Sequence, residues 1–508
     1  MTGLSMELTS FRFLCFLCAV IFIYYLLPVF TNGRGQRHVL LIASLIYYIL
    51  AGNGVLIFFP LISAAVTWFL IKCLHRLSAE QLIRKRFLLI TELVILLGSL
   101  LSFKLMNYAG IRPGGYGAPL GLSFYTFILL GYFIDVYNGI DEGTQDLEGT
   151  VLSGMFFPLM TSGPIIRFRE SAGGFLVRHR LVYDDLTSGA QRMLWGFFKQ
   201  LVISQRLGKV VDTVYAEGSG YTGWYIWLAT VCFAFQLYTN FSGCMDIVLG
   251  LSEMLGLNMP ENFRLPFLAQ SISEYWRRWH ITLGSWMRDM VFYPLLRSGF
   301  FMKQGKRLTE RFGKKRGKQL NTWGAMFLLW LAVGLWHGGA LKYVIGSGLL
   351  HWFYIVAGEA TLPFWGRLFG EILHLNLKSR MADALRVLRT FFLVCIGFVF
   401  FRADSTLHAI TLLVQALPWR TSVPDGGGLF MLGLSPVEWT IALVSLMIMT
   451  TVELINDQSL SSGGIRAKIA SMSLLPRWLI WFALIFYLLL LGEYGPGYSA
   501  AEFIYRGF

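Results

Sequence analysis

The chain has 508 residues, of which 55% are hydrophobic and only 14% are charged. Soluble domains carry about 25% charged residues, and the mean hydropathy of +0.58 is likewise typical of a membrane protein. Apolar runs long enough to cross a bilayer recur along the whole chain. The composition therefore excludes a large soluble catalytic domain and predicts one helical membrane domain.

The net charge is +14, from 43 Lys and Arg against 29 Asp and Glu. The basic residues lie in short segments beside apolar runs, which is the distribution that orients membrane proteins and not that of a nucleic-acid-binding surface. The six cysteines lie mostly within apolar runs, and none has a second Cys or His at zinc-like spacing. We therefore predict no nucleic acid partner, no metal site and no disulfide framework, with the cysteines acting as small buried residues.

In chain order, we expect three groups of helices within the single membrane domain. The first covers 11–137 and begins with an apolar run that lacks a cleavage site, which indicates an anchor. The second is a core over 150–403, and the third covers 404–508. No internal repeat marks a further boundary.

The core begins with a short apolar run at 151–166 that contains Pro158 and the pair Gly163-Pro164. Both flanks are predicted to be cytoplasmic, which favours a re-entrant segment. Interrupted backbone at membrane depth is tolerated only where protein buries it or a water-filled cavity adjoins it. We therefore expect a cavity beside this segment.

Two other parts of the core carry polar residues. Asn240, Ser242 and Asp246 lie in the apolar run at 224–251, where we expect hydrogen bonds between helices and an unidentified partner for the carboxylate. Nine Lys or Arg residues lie between 297 and 318 against Glu310 alone. We interpret the latter segment as a cytoplasmic loop that contacts anionic membrane lipid.

The segment SISEYWRRWHITLG, at 271–284, contains His280. In continuous helical register Glu274, Arg277 and Arg278 share one face, with Trp279 and His280 on another. The arginines of this amphipathic segment either anchor it among lipid headgroups or contact an anionic substrate. The sequence leaves both readings open.

His337 lies in FLLWLAVGLWHGG, after Trp336. An ionisable residue in such apolar surroundings marks a candidate functional site, although a lone histidine is more often a hydrogen-bonded core residue. An apolar setting favours the neutral imidazole, which can take the proton of a hydroxyl nucleophile during acyl transfer. Motifs for serine hydrolases, P-loop enzymes, zinc proteases and dinucleotide-binding enzymes are absent from the sequence.

Several motifs in order resemble the membrane-bound O-acyltransferase (MBOAT) family, in particular its alginate O-acetyltransferase type. They are PLGLSFYTFILLGYFIDVYNG, FFPLMTSGPIIRFRE, FQLYTNFSGCMDIVLG, SISEYWRRWHITLG, LWHGG and FVFFRADSTLHAI. The chain departs from the family at Asn240, where relatives commonly have Asp, and at Gly243-Cys244-Met245, where Gly-Tyr-Ser is common.

The resemblance implies an all-α membrane fold with roughly 11–14 membrane helices and re-entrant segments around a funnel or tunnel. His337 matches the family's active-site histidine and is expected to act as general base. His280 matches a second family histidine and would position a reactant or transfer a proton. We expect substrate contacts from Arg277, Arg278, Glu274 and Trp336.

The same resemblance implies a multi-pass protein of the bacterial cytoplasmic membrane with no bound cofactor. The expected donor is a cytoplasmic thioester such as acetyl-CoA, and the expected acceptor is an exported or cell-surface polysaccharide, reached through an extracytoplasmic acetyltransferase partner. D-alanyl transfer to teichoic acid is an alternative, as is a proton-coupled transporter that uses its histidines as a relay.

Overall fold

The computed structural model describes residues 6–31, 35–51, 54–112, 117–143, 146–424, 426–459 and 463–494. Within these ranges the regular secondary structure is helical, and the extended pairing is limited to one antiparallel bridge between Phe263 and Trp279. The predicted all-α class is therefore confirmed. The last residues of the predicted C-terminal group, 495–508, lie outside the described part of the chain.

The N-terminal helices follow the apolar runs of the sequence closely. They are α1 (Phe11–Thr31), α2 (Gly35–Ala51), a 3₁₀ turn (Gly54–Ile57), α3 (Phe58–His75), α4 (Leu82–Tyr108) and α5 (Leu122–Tyr137).

The predicted re-entrant segment is broken into α6 (Leu147–Met155) and α7 (Phe157–Met160). Pro158 falls in the first turn of α7, where the missing proline N–H costs nothing but where α6 cannot continue. A cavity adjoins the irregular backbone that follows. Its lining includes Tyr47, Thr161, Ser162, Gln200 and Cys244. The structure thus confirms both the interruption and the cavity beside it.

The chain continues through short helices into a long one. These are α8 (Phe168–Leu176), α9 (Tyr183–Phe197), a π-helix (Phe198–Ser204), α10 (Gln205–Tyr215) and α11 (Trp224–Met254). Asp246 of α11 forms ion pairs with Lys199 at 3.0 Å and Arg192 at 3.1 Å. Its carboxylate therefore has the partners that the sequence did not identify.

The next part of the chain contains many short helical pieces. In order they are a 3₁₀ turn (Pro266–Leu268), α12 (Ile272–Arg278), α13 (Ile281–Met287), a π-helix (Arg288–Phe292), α14 (Tyr293–Arg297), α15 (Gly299–Phe312), α16 (Lys314–Trp336), α17 (Leu341–Tyr343), a π-helix (Val344–Leu349), α18 (Leu350–Gly366) and a π-helix (Arg367–Ile372).

The basic segment at 297–318 is helical, so its interpretation as a loop is wrong. Helices α15 and α16 form a hairpin that turns at Gly313, whose φ of 80° suits glycine. They approach so closely that a Cβ on Gly317 would lie 2.5 Å from the Cα of Thr309. The helical hairpin at 297–318 depends on helix propensity and on the close contact at Gly317, and not on the apolar pattern of the sequence.

The C-terminal helices are longer. They are α19 (Arg380–Arg402), α20 (Thr406–Gln415), 3₁₀ turns (Pro418–Arg420 and Leu429–Met431), α21 (Pro436–Gln458), α22 (Gly464–Ala470) and α23 (Leu474–Leu491).

Six helices in the described residues are long and apolar enough to cross a membrane, and shorter apolar helices accompany them. Helix α23 has no buried residue although it is almost entirely apolar. An exposed apolar surface of this extent is unstable in water and suits lipid. The chain is therefore a multi-pass membrane protein.

All six cysteines are free thiols. Cys232, Cys244 and Cys395 are buried as predicted, whereas Cys15 and Cys18 lie on the exposed surface of α1. The prediction of burial is wrong for these two because a lipid-facing helix is apolar on all sides. Its sequence therefore does not show which side faces the protein.

The described chain forms two compact units. The first contains Met1–Val202, Thr239–Glu261 and Lys468–Phe508, and the second contains Ile203–Tyr238 and Asn262–Ala467. Every predicted site residue belongs to the second unit, so the candidate site can be described within it.

Candidate active site

His337 directly follows Trp336, the last residue of α16. Its backbone N–H donates to the carbonyl of Val333 at 3.2 Å, and Gly339, with a φ of 73°, then turns the chain out of the helix. The imidazole is 3% exposed and lies against two aromatic rings, Trp336 at 4.7 Å and Phe401 at 5.7 Å between centroids. The end of a long helix thus holds His337 in an apolar enclosure.

Glycines fix the end of α16 against the π-helix Val344–Leu349. A Cβ on Gly334 would lie 2.7 Å from the Cα of Val344, and one on Gly348 would lie 2.6 Å from the carbonyl oxygen of Trp330. Small residues let the two backbones approach this closely, as they do between membrane helices. The position of His337 therefore depends on contacts that leave no room for a side chain.

His280 lies between α12 and α13, and its φ of 47° places it in the left-handed region. A residue other than glycine adopts this conformation infrequently, so surrounding contacts must stabilise it. Two backbone hydrogen bonds impose it: Arg264 N–H donates to Arg278 at 2.9 Å, and Ile281 N–H donates to Asn262 at 3.0 Å. The short antiparallel pairing thus overrides the helical register of the sequence.

The expectation of one continuous amphipathic helix through His280 is consequently wrong. Helix α12 ends at Arg278, and Trp279 and His280 leave its axis. Apolar periodicity alone could not reveal this break because the residues that impose it lie some sixteen positions earlier, at 262–264.

The side chain of Asn262 is a polar contact of His280. Its Oδ1 lies 3.2 Å from Nδ1 of His280 and accepts hydrogen bonds from the backbone N–H of Thr282 at 3.1 Å and the Thr282 hydroxyl at 3.0 Å. Asn262 and His280 are each 1% exposed. A compact polar cluster therefore holds the imidazole within apolar surroundings.

Trp336 connects the two histidines. Its ring centroid lies 6.0 Å from that of His280 and 4.7 Å from that of His337. Because Trp336 itself is buried, it excludes water from both imidazoles. Trp336 thus brings His280 and His337 into one aromatic cluster, while their catalytic roles stay predictions.

Burial lowers the pKa of His280, which lies outside the six candidate membrane spans, well below its usual range. The charged form loses its hydration on burial, so the neutral imidazole predominates near pH 7. A neutral imidazole has one donor and one acceptor nitrogen, which suits it to bind or relay a hydroxyl proton.

The charged residues predicted to contact substrate differ in their pairing and exposure. Glu274 pairs with Arg278 at 2.7 Å through one carboxylate oxygen and accepts from the Gln270 N–H at 2.9 Å through the other. Arg277 is exposed. Arg278 is therefore largely neutralised in the structure, whereas Arg277 retains an accessible charge; their contacts with substrate stay predictions.

Sequence reasoning missed His351, a third buried histidine in this unit. Its ring stacks on Trp330 at 5.7 Å and meets the edge of Trp276 at 5.1 Å, thereby joining α18 to α16 and α12. It also missed Asn262 and the pair Arg386 and Arg389, which donate to Gln270 beside α12. Only the polar run NMPENF before His280 hinted at Asn262.

The fold and site define a multi-pass membrane protein with two buried histidines suited to proton transfer. Comparison with known proteins shows which family the chain resembles. Residues 154–309 match the model of the membrane-bound O-acyltransferase family, MBOAT. The match includes His280 and ends before His337.

Curated relatives extend the similarity beyond that segment. A probable alginate O-acetylase of Pseudomonas fluorescens is 31% identical over 397 residues, which are 76% of this chain and 72% of the relative. A peptidoglycan O-acetyltransferase of Helicobacter pylori is 26% identical, with 58% of this chain and 56% of that protein covered. A teichoic acid D-alanyltransferase of Bacillus subtilis is also 26% identical, with 57% and 70% covered.

The extent of these matches shows that the chain belongs to the membrane-bound O-acyltransferase family. It is therefore an acyltransferase.

Proposed function

We propose that the chain is an O-acetyltransferase of the bacterial cytoplasmic membrane that supplies acetyl groups for an exported or cell-surface polysaccharide. The observation that carries this proposal is that the buried rings of His337 and His280 both contact Trp336 at the end of α16. The higher identity to alginate O-acetylases than to teichoic acid D-alanyltransferases supports acetyl over D-alanyl transfer.

In the proposed reaction His337 accepts the proton of the attacking hydroxyl. The oxygen forms a bond to the carbonyl carbon of the thioester, the carbon–sulfur bond breaks, and the proton passes to the departing thiolate. A base is required because an alcohol is a poor nucleophile while it keeps its proton. Exclusion of water by Trp336 and Phe401 would also protect the thioester from hydrolysis.

The proposed donor is cytoplasmic acetyl-CoA, which is a substrate and leaves no bound cofactor. Its phosphates would be attracted by exposed basic residues, Arg277 among them, because charge-assisted bonds to phosphate are strong. The final acceptor is proposed to be reached through an extracytoplasmic acetyltransferase partner, while membrane lipid surrounds the apolar exterior.

The test is the acetate ester content of the surface polysaccharide in a deletion strain complemented with the wild-type chain or with His337→Ala. We expect His337→Ala to abolish esters while the protein remains as abundant in the membrane as the wild type. His38→Ala is a matched control, because His38 is an exposed histidine paired with Glu148 far from the site in sequence. Esters undiminished in His337→Ala would refute the proposal, and D-alanine esters in place of acetate would favour the D-alanyl reading.

A further inference from the structure

The hydrogen bonds around Asn262 determine which atom of its amide faces His280. The backbone N–H of Thr282 lies 3.1 Å from this atom and can only donate. The atom must therefore be the oxygen and not the amide nitrogen, independently of how the amide is assigned. The Thr282 hydroxyl, at 3.0 Å, fits the same acceptor.

An amide oxygen can accept hydrogen bonds but cannot donate one. Nδ1 of His280 lies 3.2 Å from this oxygen, so a hydrogen bond between them requires the proton to be on Nδ1. In a neutral imidazole the lone pair then belongs to Nε2, on the opposite edge of the ring. Nε2 is buried away from solvent.

We propose that Asn262 is a positioning residue that fixes His280 in the Nδ1–H tautomer, so that Nε2 is a hydrogen-bond acceptor that positions a reactant while His337 takes the proton of the attacking hydroxyl. The role of Nε2 in acyl transfer rests on the proposed function. The assignment of the tautomer rests only on the hydrogen bonds of Asn262. This tautomer gives His280 a direction: the ring receives a hydrogen bond at Nε2 and does not donate one there.

The backbone supports the same assignment. Asn262 also accepts the N–H of Ile281 through its main-chain oxygen at 3.0 Å, so one residue holds both sides of His280. Together with the hydrogen bond from Arg264 to Arg278, this bond maintains the left-handed φ of 47° at His280. The ring cannot rotate to exchange its two nitrogens without breaking the hydrogen bond between Nδ1 and Asn262.

The tautomer is read directly by solid-state nitrogen NMR of the full chain in lipid, with all eight histidines labelled at the ring. The spectrum of His280→Gln, subtracted from that of the wild type, gives the two His280 signals. We expect a protonated Nδ1 and an unprotonated Nε2. The opposite pattern, with the proton on Nε2, would overturn the proposal without any measurement of turnover.

Two substitutions at Asn262 separate positioning from simple support of the fold. Asn262→Asp keeps an acceptor oxygen and is expected to retain the Nδ1–H signal of His280. In Asn262→Leu, whose side chain is of similar size but cannot accept a hydrogen bond, the Nδ1–H tautomer should no longer be the dominant form. Asn376→Asp, in an exposed turn of the same unit, is the matched control and should leave the spectrum unchanged. An unchanged His280 spectrum in a folded Asn262→Leu protein would contradict the role of Asn262.

The role of Nε2 is tested by acetate ester formation. His280→Gln places an amide near the position of Nε2, and His280→Asn places it near Nδ1. We expect His280→Asn to lower the rate by about 100-fold and His280→Gln to lower it less. Equal activities would refute the role of Nε2, whereas esters that persist in His337→Ala would instead refute the proposed function.

Discussion

At the scale of single residues, the site depends on aromatic packing around two imidazoles. Trp336 contacts both His280 and His337, so it is the residue most directly placed to set their relative position. Trp336 and both imidazoles are buried from solvent. Exclusion of water from a thioester favours transfer to an acceptor hydroxyl, because water can attack the same carbonyl carbon.

We expect Trp336→Ala to lower the rate of acetyl transfer by at least about tenfold, since it removes the ring between the histidines and leaves a cavity that water can enter. Trp336→Phe should retain more activity because a ring remains. The rate is measured as acetate ester formed per amount of membrane-inserted protein. Trp419→Ala is the control, as Trp419 is 78% exposed; equal rates in Trp336→Ala and wild type would show that this ring has no part in catalysis.

At the scale of elements, buried polar contacts hold helices together where apolar packing alone gives no direction. Asp246 of α11 meets Arg192 of α9 and Lys199 of the following π-helix, and Arg192 also reaches Glu261 at 2.6 Å. The largely buried charges of Lys199 and Asp246 are stable only as a pair, because each would be costly alone. The set therefore links α11 to the helices before it.

Removing one member of this set should destabilise the protein more than removing two. We expect Asp246→Leu to lower the free energy of unfolding by about 3–5 kcal/mol, because Lys199 loses its carboxylate in a buried position. The double variant Lys199→Met with Asp246→Leu should recover part of that loss. Thermal unfolding in detergent provides the measurement, with Glu371→Ala in an exposed pair as control; equal stability of the single variant and wild type would show the ion pairs to be dispensable.

Apolar runs in the sequence predicted most helices and the interrupted segment at Pro158, since both follow from local composition. They did not predict the left-handed turn at His280 or the helical hairpin at 297–318. The former depends on pairing with 262–264, and the latter on close backbone contact at Gly317. Contacts between distant residues leave little trace in local periodicity.

The same distinction applies to the candidate site. His280 and His337 were identifiable because ionisable residues are rare in apolar runs. Asn262 and His351 were not singled out, since an asparagine in a polar run and a histidine among aromatic residues are common. Their significance comes from what they contact: Nδ1 of His280 for the former, and Trp276 and Trp330 for the latter.

At the scale of the whole molecule, the apolar exterior and the buried histidines serve one purpose in the proposed function. The helices that face lipid fix the protein in the membrane. In the proposed function, the buried histidines lie in an apolar enclosure in which a thioester and a hydroxyl would react. A transporter with the same histidines would move a solute without forming a covalent product. Formation of an acetyl ester therefore distinguishes the two.

The most direct measurement uses everted membrane vesicles, which expose the cytoplasmic face, from cells that produce the chain and its polysaccharide. Acetyl-CoA labelled in the acetyl group is added, and label released from the polymer by hydroxylamine is counted. We expect ester-linked label with the wild type and with His38→Ala, and none above background with His337→Ala. Equal labelling with His337→Ala, or labelling that does not require the chain, would contradict acetyl transfer centred on His337.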